Sequence, residues 1–200
     1  MLEVMLEPHL VPDEIAPGEI RRMHVDEYMR LAEAGCFEDE KVELLEGVVV
    51  EMSAQGVEHR HLLTLFTRLL ARRLPDHLMV TPQCTYRIPP YSAPEPDFTI
   101  NTAASVWLKQ ISAVWVIEVA ITSQRRDRGL KAQIYAKAGI LEYWVVDGAK
   151  EVVYIHLDPS PDGYRSVIRY GSTDPIAPRA IPELTFSLDD LVNDRVKLDR

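Results

Sequence analysis

The sequence predicts a mixed α/β or α+β fold, on three observations. Residues 113–120, Ala-Val-Trp-Val-Ile-Glu-Val-Ala, are apolar on both faces, as in a strand inside a covered sheet. Residues 58–74 set Leu62, Leu63, Phe66, Leu69 and Leu70 on one helical stripe, with Arg68, Arg72 and Arg73 around the outer side. Strand and helix patterns then alternate along 200 residues, enough for one domain with a full core.

The elements follow in order. Residues 1–20 hold Pro8, Pro12 and Pro17 without sustained periodicity, so a poorly structured lead-in is expected, with residues 21–200 as a single domain. A helix is predicted over 24–34, ended by Gly35. A hairpin over 42–52 turns at Glu46-Gly47. After the 58–74 helix come strands at 78–82, 84–88 and 97–101, the last two separated by the Pro-rich bend 89–94. The apolar strand 113–120 is followed by a helix over 123–138 that stops at Gly139. Strands at 142–146, 152–156, 164–170 and 184–186 precede a short helix capped by Ser187.

Composition narrows the function classes. Cys36 and Cys84 make neither a disulfide framework nor a zinc pattern, and are expected as reduced thiols in a cytoplasmic protein. Glu3 and Glu7 interrupt the apolar start, so no signal peptide is expected, and no apolar run reaches membrane-spanning length. The net charge of −9 argues at first against nucleic acid. Its distribution softens that: residues 1–58 hold 15 Asp and Glu against 4 Lys and Arg, whereas residues 59–148 hold 7 against 11. The part with the chemistry is mildly basic and admits a phosphate-bearing substrate.

Glu118 is the anomaly in the apolar strand. A lone carboxylate there is costly if buried, charged and unpaired. A divalent cation shared with Asp97, at the start of the preceding strand, is the expected compensation. Neighbouring strands lie about 4.8 Å apart, so facing carboxylates can share one Mg²⁺, a hard ion that takes oxygen ligands. On the following helix, Asp127, Lys131 and Tyr135 recur every four residues and share a face. Lys131 is placed to orient a metal-bound water, with Asp127 fixing its rotamer. Arg125, Arg126 and Arg128 oppose the dipole at that helix's N-terminus and read as phosphate contacts. His59 is expected to contact phosphate or cap its helix, and Tyr135 to pack.

These residues resemble a known family. Residues 117–123, Arg126-Asp127-Arg128, Lys131, Tyr135-Ala136, Gly139-Ile140 and residues 142–147 are similar to the Uma2 family of the PD-(D/E)XK nuclease superfamily. Weaker likeness runs through Asp26-Glu27-Tyr28, residues 42–47, His59 and Glu95-Pro96-Asp97. The resemblance implies a restriction-endonuclease-like central mixed sheet flanked by helices. It implies Asp97 and Glu118 as metal ligands and Glu43 as a further carboxylate near the site. The superfamily's lysine two residues after the second acid is Ala120 here, and Lys131 is the expected substitute.

The expectation is therefore an Mg²⁺-dependent endonuclease, with Mn²⁺ as an alternative ion, hydrolysing phosphodiester bonds in DNA. Asp97, Glu118 and Lys131 are its catalytic set, with Glu43, Asp127, His59 and Tyr135 in support. Cutting both strands would call for a homodimer. The competing expectations are a non-catalytic binding module on the same fold, and a hydrolase of RNA or a smaller phosphodiester. Lys131→Met is expected to leave stability nearly unchanged, because the apolar stem survives.

Overall fold

A computed structural model describes residues 19–107 and 113–193. The lead-in expected over residues 1–20 lies almost wholly outside them. Helix α1 (Val25–Glu33) starts where the His24 amide meets the Glu27 carboxylate at 3.1 Å, and it buries Val25 and Tyr28. Strands β1 (Val42–Leu45) and β2 (Val48–Glu51) form the expected hairpin. Its turn residues Glu46 and Gly47 both take positive φ, 51° and 85°, the mirror-image geometry that follows strand twist. Gly47 has no substitute there, since a Cβ would lie 2.6 Å from Arg22 Cβ.

Helix α2 (Val57–Arg73) and strand β3 (Leu78–Pro82) lead to β4 (Phe98–Thr102), α3 (Ala103–Trp107) and β5 (Ala113–Ala120). A helical crossover follows, made of α4 (Gln124–Arg126), a π-helical turn (Asp127–Lys131) and α5 (Ala132–Lys137). Strands β6 (Glu142–Asp147), β7 (Val152–Ser160) and β8 (Gly163–Tyr170) and helix α6 (Leu188–Val192) complete the order. The second sheet has six strands in the order β3-β4-β5-β6-β7-β8. Its pairs are antiparallel apart from β5–β6, which is parallel. A parallel pair needs a long return connection, and α4 through α5 supplies it.

Strand alternation decides what each face buries. Trp115, Ile117 and Val119 pack with Leu62, Phe66, Leu69 and Leu70 of α2 and with Phe186 and Leu191 from the tail. Trp144 meets Trp115 edge-on, ring centroids 4.7 Å apart. Val116 and Ala120 face the other way, against Ala132 and Tyr135 of α5 and Tyr143 of β6. By the two-residue period Glu118 belongs to this second side, under the crossover helix. The mixed sheet flanked by helices is as the sequence predicts, with β5 inside it.

Two expected strands do not form. Residues 84–88 and 184–186 each contribute only an isolated bridge, Ile88 to Ser92 and Phe186 to Ile176. Gln83, at φ 48°, turns the chain away from the sheet, and the Tyr86 and Ile88 amides bond Pro94 and Ser92 within the proline bend. Leu184 donates to Ile181 in a turn, so the tail crosses the core as a strap. Ser187 does cap α6, accepting the Asp190 amide at 3.0 Å. Among the described residues no helix is long and apolar enough to cross a membrane.

His156 on β7 is buried between the rings of Tyr143 and Tyr164, and its Nδ1 has no hydrogen-bond partner. Burial pushes its pKa down from 6.5 to about 4. Protonation therefore favours the unfolded chain: His156 contributes stability above pH 6.5 and loses it as pH falls toward 4. Urea denaturation should show about 2 kcal/mol of stability lost between about pH 7.5 and 5 that the His156→Phe variant does not lose. Equal pH dependence in both proteins would contradict this.

Candidate active site

Glu118 lines a cleft of about 170 Å³ together with Glu43, His59, Asp97, Asp127 and Lys131. These five acids and bases come from four separate elements. The hairpin supplies Glu43, the start of α2 supplies His59, the entry to β4 supplies Asp97, and the π-helical turn supplies Asp127 and Lys131. The sheet register puts Asp97 one step beyond the Phe98–Ile117 pair, across from Glu118. Asp97 Oδ2 accepts the Val119 amide at 2.7 Å and lies 3.2 Å from His59 Nε2. Its orientation is thus fixed from two sides.

Lys131 is only 4 % exposed, and its ammonium is the hub. It lies 3.0 Å from Glu118 Oε1, 3.0 Å from Glu43 Oε2 and 3.8 Å from Asp127 Oδ1. The Tyr135 hydroxyl donates to the same Glu118 Oε1 at 3.0 Å, so this residue does more than pack. Burial disfavours the ammonium, but Glu118, Glu43 and Asp127 together outweigh it and raise the Lys131 pKa. Lys131 stays charged at neutral pH. Burial raises the Glu118 carboxyl well above its usual range, Lys131 works against that shift, and Asp127, Asp97 and Glu43 add to it. Burial likewise raises the Tyr135 hydroxyl, which remains a donor.

The π-helical turn sets this geometry. Its wider winding gives Ala132 a hydrogen bond back to the Asp127 carbonyl, and the Tyr143 hydroxyl donates to the same carbonyl at 3.0 Å. Ser123 holds the Asp127 side chain from the preceding turn. Lys131 and Tyr135 then converge on a single oxygen. Such turns recur at functional sites. In the sequence its one signal is Gly129, a glycine in mid-helix.

Not every expected residue reaches the cleft. Of the three arginines, Arg126 lines it, and its guanidinium donates to the Glu51 carbonyl at 3.0 Å and lies 3.5 Å from Glu43. Arg128 instead lies over the Tyr154 ring, 3.6 Å from its centroid, so cation–π attraction takes it away from the expected phosphate contact. Arg125 is exposed and outside the lining. Glu95, not anticipated as a site residue, also lines the cleft; burial raises its carboxyl pKa, and its backbone amide donates to Glu43 Oε2 at 3.3 Å. Its place directly before Pro96-Asp97 was the signal.

Residues 25–189 match the Uma2 family, described as "Putative restriction endonuclease". The chain belongs to that family. A solved structure described as "a putative nuclease belonging to DUF820 from Anabaena variabilis ATCC 29413" superposes with a TM-score of 0.70. It is 15% identical, and the match covers 86% of this chain and 98% of that one, a likeness of fold. No curated protein matches the chain.

The Uma2 cleft suits a divalent cation on charge grounds. With all four buried carboxylates ionised, Glu43, Asp97, Glu118 and Asp127 exceed Lys131 and Arg126 by two negative charges. Among the described residues no group of three or more His, Cys, Asp or Glu forms a metal cage. Mg²⁺ does not require one, since it commonly binds through one or two carboxylates with waters and substrate phosphates completing its shell. Asp97 and Glu118 fit that role. Glu118 Oε1 is committed to Lys131 and Tyr135, so Oε2 is the oxygen with capacity for a cation.

The burial of Lys131 overturns the expectation that its loss leaves stability unchanged. Lys131→Met would strand three buried carboxylates, at a cost of about 3–5 kcal/mol. Glu118→Gln instead relieves like-charge crowding while Lys131 keeps Glu43 and Asp127. Urea denaturation should rank the proteins as Glu118→Gln at or above wild type and Lys131→Met well below. A Lys131→Met variant as stable as wild type would show that the ammonium does not compensate those acids.

Proposed function

We propose that this chain is a Mg²⁺-dependent nuclease that hydrolyses phosphodiester bonds in DNA. The observation that carries the reading is the convergence of Asp97, Glu118 and Lys131 in one cleft. Family membership supports it, and so does the restriction-endonuclease-like fold. Asp97 and Glu118 would hold the ion, which when bound supplies a water of lowered pKa and neutralises charge on the phosphate.

The chain's own residues supply the rest. The surrounding acids favour the charged form of Lys131, which suits it to positioning rather than to proton abstraction. Its role is to orient the attacking water and to offset negative charge developing on the phosphate oxygens. Tyr135 and Lys131 together fix the Glu118 rotamer through Oε1, so that Oε2 would be the oxygen to hold the ion. His59 and the Val119 amide do the same for Asp97. Glu43 and Asp127 hold Lys131 in place, and Arg126 is the cleft arginine nearest to a phosphate role. A binding module without catalysis would have no need of three buried acids around one buried lysine, with a fourth beside them.

Purified protein should nick supercoiled plasmid DNA with Mg²⁺ and stop when the metal is chelated. Asp97→Asn and Glu118→Gln should each lower the rate by about 10²-fold or more, the scale of a lost catalytic group, while circular dichroism stays unchanged. Calorimetric titration should show Mg²⁺ binding weakened in both variants. Undiminished cleavage by either variant would remove the proposed site. Cleavage of both strands is expected to need a two-fold homodimer, visible as doubled mass in light scattering when DNA is bound.

A further inference from the structure

A second chamber, of about 400 Å³, adjoins the reactive cleft and shares Met52, Gln55, Glu95 and Asp97 with it. Tyr28 and Phe37 form one wall, their rings nearly parallel with centroids 5.3 Å apart. The Tyr28 ring is buried and its hydroxyl donates to the Val42 carbonyl at 2.9 Å, so it is a fixed support. Phe37 is half-buried on top of it and lines the chamber. The lining also carries polar groups: the Thr85 hydroxyl donates to Glu95 Oε1 at 3.2 Å, and Gln83 and Gln55 add amides.

The charge of this chamber excludes one kind of occupant. Glu38, Glu40, Glu95 and Asp97 face a single lysine, Lys41, so a phosphate group would be repelled. A flat, uncharged ring with N–H donors is complementary instead. It would stack on Phe37 and donate to the Glu95 carboxylate. Because the chamber shares two acidic residues with the cleft, ring and phosphodiester would belong to adjoining parts of one strand.

Resting on the nuclease reading above, we propose that this chamber receives one unpaired nucleobase of the strand whose phosphodiester lies in the cleft, so that the substrate is single-stranded, or locally unpaired, at the point of cleavage. A base inside a duplex has its hydrogen-bonding edge occupied and both faces stacked, and it must leave the helix to enter such a pocket. An aromatic platform accepts any base by its π-face. The carboxylate of Glu95 adds a preference for bases that present N–H donors.

Three oligonucleotides of one length test this: a single strand carrying 2-aminopurine, the same strand in a duplex, and a strand of abasic residues. With Mg²⁺ the wild-type protein should cut the single strand at least tenfold faster than the duplex. With Ca²⁺ in place of Mg²⁺, binding should quench 2-aminopurine fluorescence in the single strand, and the abasic strand should bind at least tenfold more weakly. Phe37→Leu should abolish the quench and bring affinity for the base-bearing strand down to that for the abasic one. Should Phe37→Leu lower the melting temperature, Glu95→Gln decides, since it leaves the Tyr28–Phe37 stack intact and should change the ranking among homopolymer strands. Duplex cut as fast as single strand, or no quench and no change in ranking, would overturn the base pocket and leave the nuclease standing. Failure to cut either form would remove the nuclease reading and the pocket with it.

Discussion

The buried ammonium of Lys131 is the interaction on which the site depends. Glu43, Glu118 and Asp127 lie on three separate elements, and without a positive charge among them they would be buried, uncompensated acids. One lysine therefore binds the hairpin, the central strand and the crossover helix to a common point. It reaches that point because a π-helical turn, supported by Tyr143, presents it to the same Glu118 oxygen as Tyr135.

The cluster is under-compensated in a way that apolar packing could not tolerate without purpose. Lys131 and Arg126 leave two carboxylate charges unmatched when all four acids are ionised. Burial, reinforced by the neighbouring acids, raises the Glu118 carboxyl, and Glu118, Glu43 and Asp127 together stabilise the Lys131 ammonium. A divalent cation is the simplest charge to close that balance. That balance is what the proposed Mg²⁺ would supply, through Asp97 and Glu118.

Position around the cleft separates the arginines and the acids into different tasks. Arg126 is drawn to the hairpin, and Arg128 is held over Tyr154, so the basic helix end offers less to a phosphate than its composition suggests. On the far side the acids of the second chamber exclude phosphate and leave an aromatic wall.

The amino-acid sequence by itself determined the elements and most of the participants. Two-sided apolarity marked β5 as internal, the leucine stripe marked α2, and Glu118 stood out because nothing apolar explains a carboxylate there. The four-residue spacing of Asp127, Lys131 and Tyr135 is a local property and could be read directly. Only tertiary structure decided what those groups meet: that Lys131 joins Glu43 to Glu118, that His59 holds Asp97, and that Arg128 turns to Tyr154. It also decided that residues 84–88 spend their amides on the proline bend instead of the sheet. Hydrogen bonds and ion pairs between distant segments depend on relative placement in space, which spacing along a chain does not encode, whereas periodicity within one element does.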